Sequence, residues 1–216
     1  MKLFNSVQVF TIACAAILGF ASTAQAARAD LKVFKTPAPL YSAPRKGLYA
    51  IGIAEASGDL ITIINGNISV AFPIDKKTIK IENSVKTIAK TLTYVNVNVW
   101  SEIPLAQDFS ARDPFHVFIN STLKKIGYEL AGMFPILLKG TFAAVDFHLG
   151  PDATPVKFSE KNISGFIFGF FNRTGEAPEF KSTSVFHFVS EDGKRSGFVD
   201  SFKTLGRDKV TLFLAK

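Results

Sequence analysis

Cysteine is almost missing from this chain: 216 residues contain one, Cys14, and it lies in an apolar run near the N-terminus. No disulfide framework can be drawn, and the rest of the chain has neither a cysteine nucleophile nor thiolate metal ligands. Histidine is scarce too, with His116, His148 and His187 the full set of three. There is no glycine-rich phosphate loop, no G-x-S-x-G elbow and no H-E-x-x-H pair, so the common nucleotide, serine-hydrolase and zinc-peptidase signatures are excluded. Beyond the N-terminal run no segment is long and uncharged enough to cross a bilayer, which takes about 20 apolar residues. Acidic residues are in deficit, 18 against 25 Lys and Arg, for a formal net charge of +7. The basic pairs Lys76-Lys77 and Lys124-Lys125 are short and lack interleaved aromatics. The excess therefore reads as solubility, not as a nucleic-acid footprint.

What the N-terminus does have is Lys2, an apolar run from Val7 to Phe20 and then Ala24-Gln25-Ala26. These are the charged, apolar and small-residue parts of a secretory signal peptide over residues 1–26. Thr11-Ile12-Ala13 is a poor lead-in to Cys14, which argues against a lipid anchor. The expected product is a secreted, soluble domain spanning 27–216, without a membrane anchor. Four N-glycosylation sequons lie in it, starting at Asn67, Asn120, Asn162 and Asn172.

Residues 35–46 carry Pro37, Pro39 and Pro44 and read as an extended lead-in. Strand patterns follow at Leu48–Ala54, Leu60–Ile64, Ile68–Phe72 and Thr78–Ile81. Asn65-Gly66 supplies a tight hairpin turn between the second and third of these. Thr93–Trp100 alternates Val95, Val97 and Val99 against Asn96, Asn98 and Trp100, as a half-buried strand does. One helix is expected, with Asp113 as cap, Pro114 in the first turn, an apolar stripe from Phe115 to Ile126 and Gly127 as stop. His116 falls off that stripe and reads as a surface residue. Strands resume at Phe134–Leu138, Thr141–Leu149, Ile163–Phe171, Ser182–Ser190 and Val210–Leu214, and 22 phenylalanines suit a core between sheets. The expected class is α+β: two β-rich halves, about 31–110 and 111–216, with mixed or antiparallel sheets and few helices.

The stretch Gly165-Phe-Ile-Phe-Gly169-Phe170, then His187-Phe-Val-Ser-Glu-Asp192, then Gly197, Val199 and Phe202 resembles the C-terminal half of the alpha-acetolactate decarboxylase family. Phe134 to Phe142 is similar to that family's strand leading to a G-T-F corner, and Gly58-Asp59-Leu60 with Asn65-Gly66 to its early hairpin. The resemblance implies a zinc ion held by three histidines, at positions matched here by Val185, His187 and Phe198. It also implies a hairpin carboxylate, matched by Asp59, and an active-site arginine, matched by His148. A further family glutamate near the C-terminal end has no counterpart after Asp208.

Decarboxylating a branched hydroxy-keto acid leaves an enediolate-like charge that a Lewis-acidic metal stabilises while an acid delivers a proton. A catalytic zinc takes three protein ligands and an open position, and Val185 and Phe198 offer no lone pair. Three function classes remain open. One is a secreted acetolactate decarboxylase making acetoin. The second is a metal-free relative serving as a binding or interaction module for a small molecule or a protein, and the two apolar replacements favour it. The third is an enzyme with a rebuilt metal site, zinc or non-haem iron, drawn from His187, His148 and Asp59. Any Ser-Glu-Asp-Gly-Lys-Arg-Ser-Gly chemistry at 190–197 is set aside, because this sequence is turn-forming.

Overall fold

The computed structural model describes residues 32–34, 38–40, 46–84, 86–105, 108–109, 112–125, 133–150, 154–172, 184–204, 206 and 209–215. The expected signal peptide at 1–26, the expected helix stop at Ile126 and Gly127, and Ser182 lie outside them. Thirteen strands and one helix are described: β1 (Lys32–Phe34), β2 (Ala38–Pro39), β3 (Leu48–Ala54), β4 (Leu60–Ile64), β5 (Asn67–Pro73), β6 (Ile79–Glu82), β7 (Ile88–Asn96), β8 (Trp100–Pro104), α1 (Arg112–Lys125), β9 (Met133–Leu149), β10 (Val156–Asn172), β11 (Ser184–Ser190), β12 (Ser196–Thr204) and β13 (Val210–Ala215).

The first seven strands form one sheet in the order β1-β7-β3-β4-β5-β6, with β2 also on β7. Its centre is the expected hairpin. Asn65 and Gly66 both take positive φ, 51° and 83°, as a primed two-residue turn requires, and the Asn65 side chain accepts the Gly47 N–H at 2.8 Å. The lead-in is not elementless as expected: β2 pairs with β7 through Ala38↔Ala89, and Leu40 is buried.

The second sheet holds β8 to β13, and every pairing described in either sheet is antiparallel. The α+β, partly mixed expectation is therefore corrected to a mainly β architecture with one helix among the described residues. Four of its strands close on themselves, since β9 pairs with β10, β10 with β11, β11 with β12 and β12 again with β9. Closure forces β9 and β10, each 17 residues long, to bend. Gly140, facing Gly165 across the pair, has φ of 153°, and a Cβ there would lie 2.0 Å from the Lys209 carbonyl oxygen. Asn162 takes φ of 51°, and the β10 residues facing the main core change parity around it, from Phe158 to Ile167 and Phe171. At Gly169, a Cβ would lie 2.6 Å from the Phe186 ring, so the glycine lets that ring cross the strand.

This bending explains why the sequence pattern placed two strands at 134–149, where one bent strand runs, and began β10 too late. Thr93–Trp100 errs the other way: β7 ends at Asn96, β8 starts at Trp100, and Val99 is 53% exposed. β8 also belongs to the second sheet through β13, so the first half stops before it.

Helix α1 starts at Arg112, which places Asp113 inside its first turn instead of at the cap. Its Phe115, Ile119 and Leu123 are buried in the main core with Phe142, Phe186 and Phe202, the rings of Phe115 and Phe202 meeting edge to face at 5.2 Å. A second apolar layer joins the sheets, with Tyr49, Ile51 and Val95 of the first, and Val97 just past β7, against Leu137, Phe168 and Phe170 of the second. Of the sequence positions of interest, Val185 and His187 lie at this junction.

Candidate functional site

Three of the singled-out residues form one row across the second sheet. His187 on β11 faces Phe198 on β12, and Phe198 faces His148 on β9. Directly opposed residues project to the same face, so both imidazoles flank one phenyl ring. Phe198 stacks on His148 with centroids 5.2 Å apart and meets His187 edge-on at 4.7 Å. Val185 precedes His187 by two residues on the same strand face and packs in the layer between the sheets.

His187 is 1% exposed and serves as a polar tie across the two sheets. Its Nδ1 lies 2.9 Å from the Thr62 hydroxyl on β4, and a further hydrogen bond reaches the Ile61 backbone. Burial pushes its pKa down to about 3, against a partial lift from the Ile61 contact and a small further lowering from His148. The ring is neutral at physiological pH. Replacing Thr62 with the isosteric Val should leave Nδ1 without its hydroxyl partner and cost about 1 kcal/mol, which urea denaturation at pH 7 would measure.

His148 turns the other way. Its Nδ1 pairs with Asp200 Oδ1 at 2.8 Å, with the His side chain 18% exposed. Two residues earlier on β9, Asp146 accepts hydrogen bonds from Ser159 and Ser201, each at 2.6 Å. The Ser159 and then the Ser201 hydroxyl hold its carboxyl below the usual carboxylate range. Asp146, Lys157, Phe158, Ser159, Asp200 and Ser201 line an open depression of about 490 Å³. Sequence reading missed this cluster. The available signal was the i, i+2 spacing of Asp146 and His148 on one strand, but their partners come from β10 and β12, and the bulge between Val199 and Ser201 hides the register.

Asp59 is held inside its own hairpin. The Ser57 hydroxyl donates to its carboxylate, and its carbonyl accepts the Ala54 N–H at 2.8 Å. Among the described residues no group of three or more His, Cys, Asp or Glu is placed to hold a metal, so His187, His148 and Asp59 are not gathered around one point. The donor set at the matched family positions does not fit zinc either. Val185 and Phe198 have no donor atom, and the Nδ1 of His187 is engaged by Thr62. His116 is not the surface residue expected: its Nε2 lies 2.9 Å from Ser184 Oγ, and its ring meets Phe171 at 5.3 Å. Within 190–197 the expected solvated turn is Glu191 to Lys194, which is exposed, while Ser190 and Ser196 are buried at the ends of β11 and β12; the Ser190 hydroxyl pins the turn by accepting the Arg195 N–H at 2.9 Å.

Comparison with solved structures finds acetolactate decarboxylase from Bacillus subtilis subspecies spizizenii at a TM-score of 0.65 and 15% identity, over 83% of this chain and 77% of that one. The alpha-acetolactate decarboxylase of Bacillus subtilis strain 168 aligns at 0.64 and 17%, over 85% and 79%. A Staphylococcus aureus protein of unknown function, similar to alpha-acetolactate decarboxylase, aligns at 0.62 and 14%, over 83% and 77%. No family model and no curated protein matches the sequence. At these identities the likeness is one of fold, and the fold is acetolactate-decarboxylase-like.

Proposed function

We propose that this chain is a secreted, distant relative of acetolactate decarboxylase that has given up the zinc chemistry and works as a binding or interaction module. The observation that carries the reading is the Phe198 ring, lodged between His187 and His148 at a position the sequence resemblance matches to a metal ligand. The engagement of His187 by Thr62 supports it, since a ring committed to a buried hydrogen bond contributes to packing between the sheets. Fold alone does not carry chemistry. The depression beside Asp146 and Asp200 is the polar surface such a module offers a ligand.

Metal content decides between this reading and a decarboxylase with a rebuilt site. The purified chain and its His187→Ala variant, each incubated with zinc and dialysed, should both retain far less than one zinc per chain by mass spectrometry. Stoichiometric zinc in the parent that is lost in the variant would overturn the proposal and call for an acetolactate-to-acetoin assay.

A further inference from the structure

Of the four sequons, two present their asparagine to solvent and two do not. Asn67, the first residue of β5 after the Asn65-Gly66 turn, is exposed, as is Asn162 at the positive-φ kink of β10. Asn172, at the end of β10, is 4% exposed. Asn120 is half-buried on α1, and its amide oxygen is enclosed. We propose that Asn67 and Asn162 are N-glycan acceptor sites and that Asn120 and Asn172 are not. The proposal rests on the export reading, because the donor is a lipid-pyrophosphate-linked oligosaccharide found along a secretory route.

In the transfer the Asn side-chain nitrogen attacks the anomeric carbon of the donor. A carbon–nitrogen bond forms, the carbon–oxygen bond to the pyrophosphate breaks, the amide gives up one proton and the lipid pyrophosphate leaves. No oxidant or reductant is needed. Transfer reaches the chain as it emerges, so burial in the finished fold acts as a filter. A glycan on Asn172 would have to be packed where 4% of the residue meets solvent, and molecules carrying one could not complete β10.

The two exposed sites also share a setting. β6 pairs with β5 over Val70–Pro73, so Asn67 to Ser69 have a strand partner on the β4 side alone among the described residues. β11 pairs with β10 over Gly165–Phe171, so Val156 to Ile163 have β9 as their strand partner, with the Arg195 side chain reaching across to Glu160 at 2.6 Å. Open strand edges template intermolecular pairing, and a bulky hydrated group beside each would block it.

The test is expression of the full chain in a eukaryotic secretory host, with a parallel chain whose residues 1–26 are replaced by the host's own leader. Secreted protein is treated with an amidase that converts glycosylated Asn to Asp in heavy-oxygen water, and its peptides are mapped by mass. Heavy-oxygen Asp at positions 67 and 162 alone is the expected result, with Asn67→Gln and Asn162→Gln each removing one glycan step on a gel. Unmodified Asn67 and Asn162 in secreted protein, or a glycan at 120 or 172 in folded protein, would overturn it. Retention of the native-leader chain while the substituted-leader chain is secreted and glycosylated at 67 and 162 would refute the export reading and leave the acceptor assignment supported.

Discussion

Val185→His combined with Phe198→His should raise the zinc retained after dialysis to about one per molecule. Three positions on one sheet face make this expectation concrete. Val185 and His187 are two residues apart on β11, and Phe198 stands directly across from His187 on β12, so all three Cβ atoms project from neighbouring points of the same surface. Two added imidazoles would complete a three-nitrogen set with a fourth position open, the arrangement of a catalytic zinc. Metal binding should in turn stabilise the fold by mass action, about 2.7 kcal/mol when free zinc is a hundredfold above its dissociation constant. Inductively coupled mass spectrometry and a zinc titration of thermal unfolding would check both parts. A double variant that folds yet holds no zinc would show that the β11–β12 spacing, and not the residue types alone, departs from a metal site. Thr62→Val in the same background should tighten binding, because it frees Nδ1 of His187.

Acid should weaken the parent protein well above the carboxylate range. His187 has a folded pKa of about 3 against an ordinary 6.5, so between those values the unfolded chain binds a proton that the folded chain refuses. Stability then rises with pH: the contribution is complete above about pH 6.5 and is lost progressively as pH falls toward 3. From pH 7 to pH 5 the loss is about 2 kcal/mol, a sizeable part of the roughly 5–15 kcal/mol typical of a domain. Asp75, Asp146 and Asp192, whose pKa values are also lowered, lose stability by the same linkage, but below the ordinary carboxylate pKa of 3.8. Urea unfolding at a series of pH values would resolve the two windows. His187→Gln should be less stable at pH 7 and nearly flat between pH 7 and 5; a parent slope that survives this substitution would place the titrating group elsewhere.

The β3-β4-β5 part of the first sheet was legible in the sequence because its strands are short and joined by local turns, and Asn65-Gly66 carries its own backbone geometry. The second was legible in its elements but not in their joins. Residues such as Gly140 and Asn162 read locally as breaks between strands, whereas long-range pairing through β12 and β13 carries β9 across its glycine, and β9 carries β10 past its asparagine. The same long-range pairing decided the candidate site. Sequence matched Val185, His187 and Phe198 to one family centre, and they do share a face. It could not show that the His148 imidazole would stack on Phe198 and pair with Asp200, or that Asp59 would be tied by Ser57. Those contacts depend on register between strands far apart in the chain. His116 was misjudged for a related reason: the helical stripe marks the most apolar face, while Ser184 and Phe171 approach from its flank.

The pairing of β8 with β13 sets the order in which the molecule can be assembled during synthesis. All strands of the first sheet precede Ser101, so that sheet can form while later residues are still being made. β8 follows at once, yet its one described strand partner is β13, the last strand, and β13 also lines β9. Half the chain must emerge before β8 has an edge to join, and contacts of such high sequence separation are slow to form. Until then Ile103 and the neighbouring faces of β9 stay open to other chains, which makes the interval before β13 arrives the stage at which a passing chaperone, or a second copy, would find the most to hold.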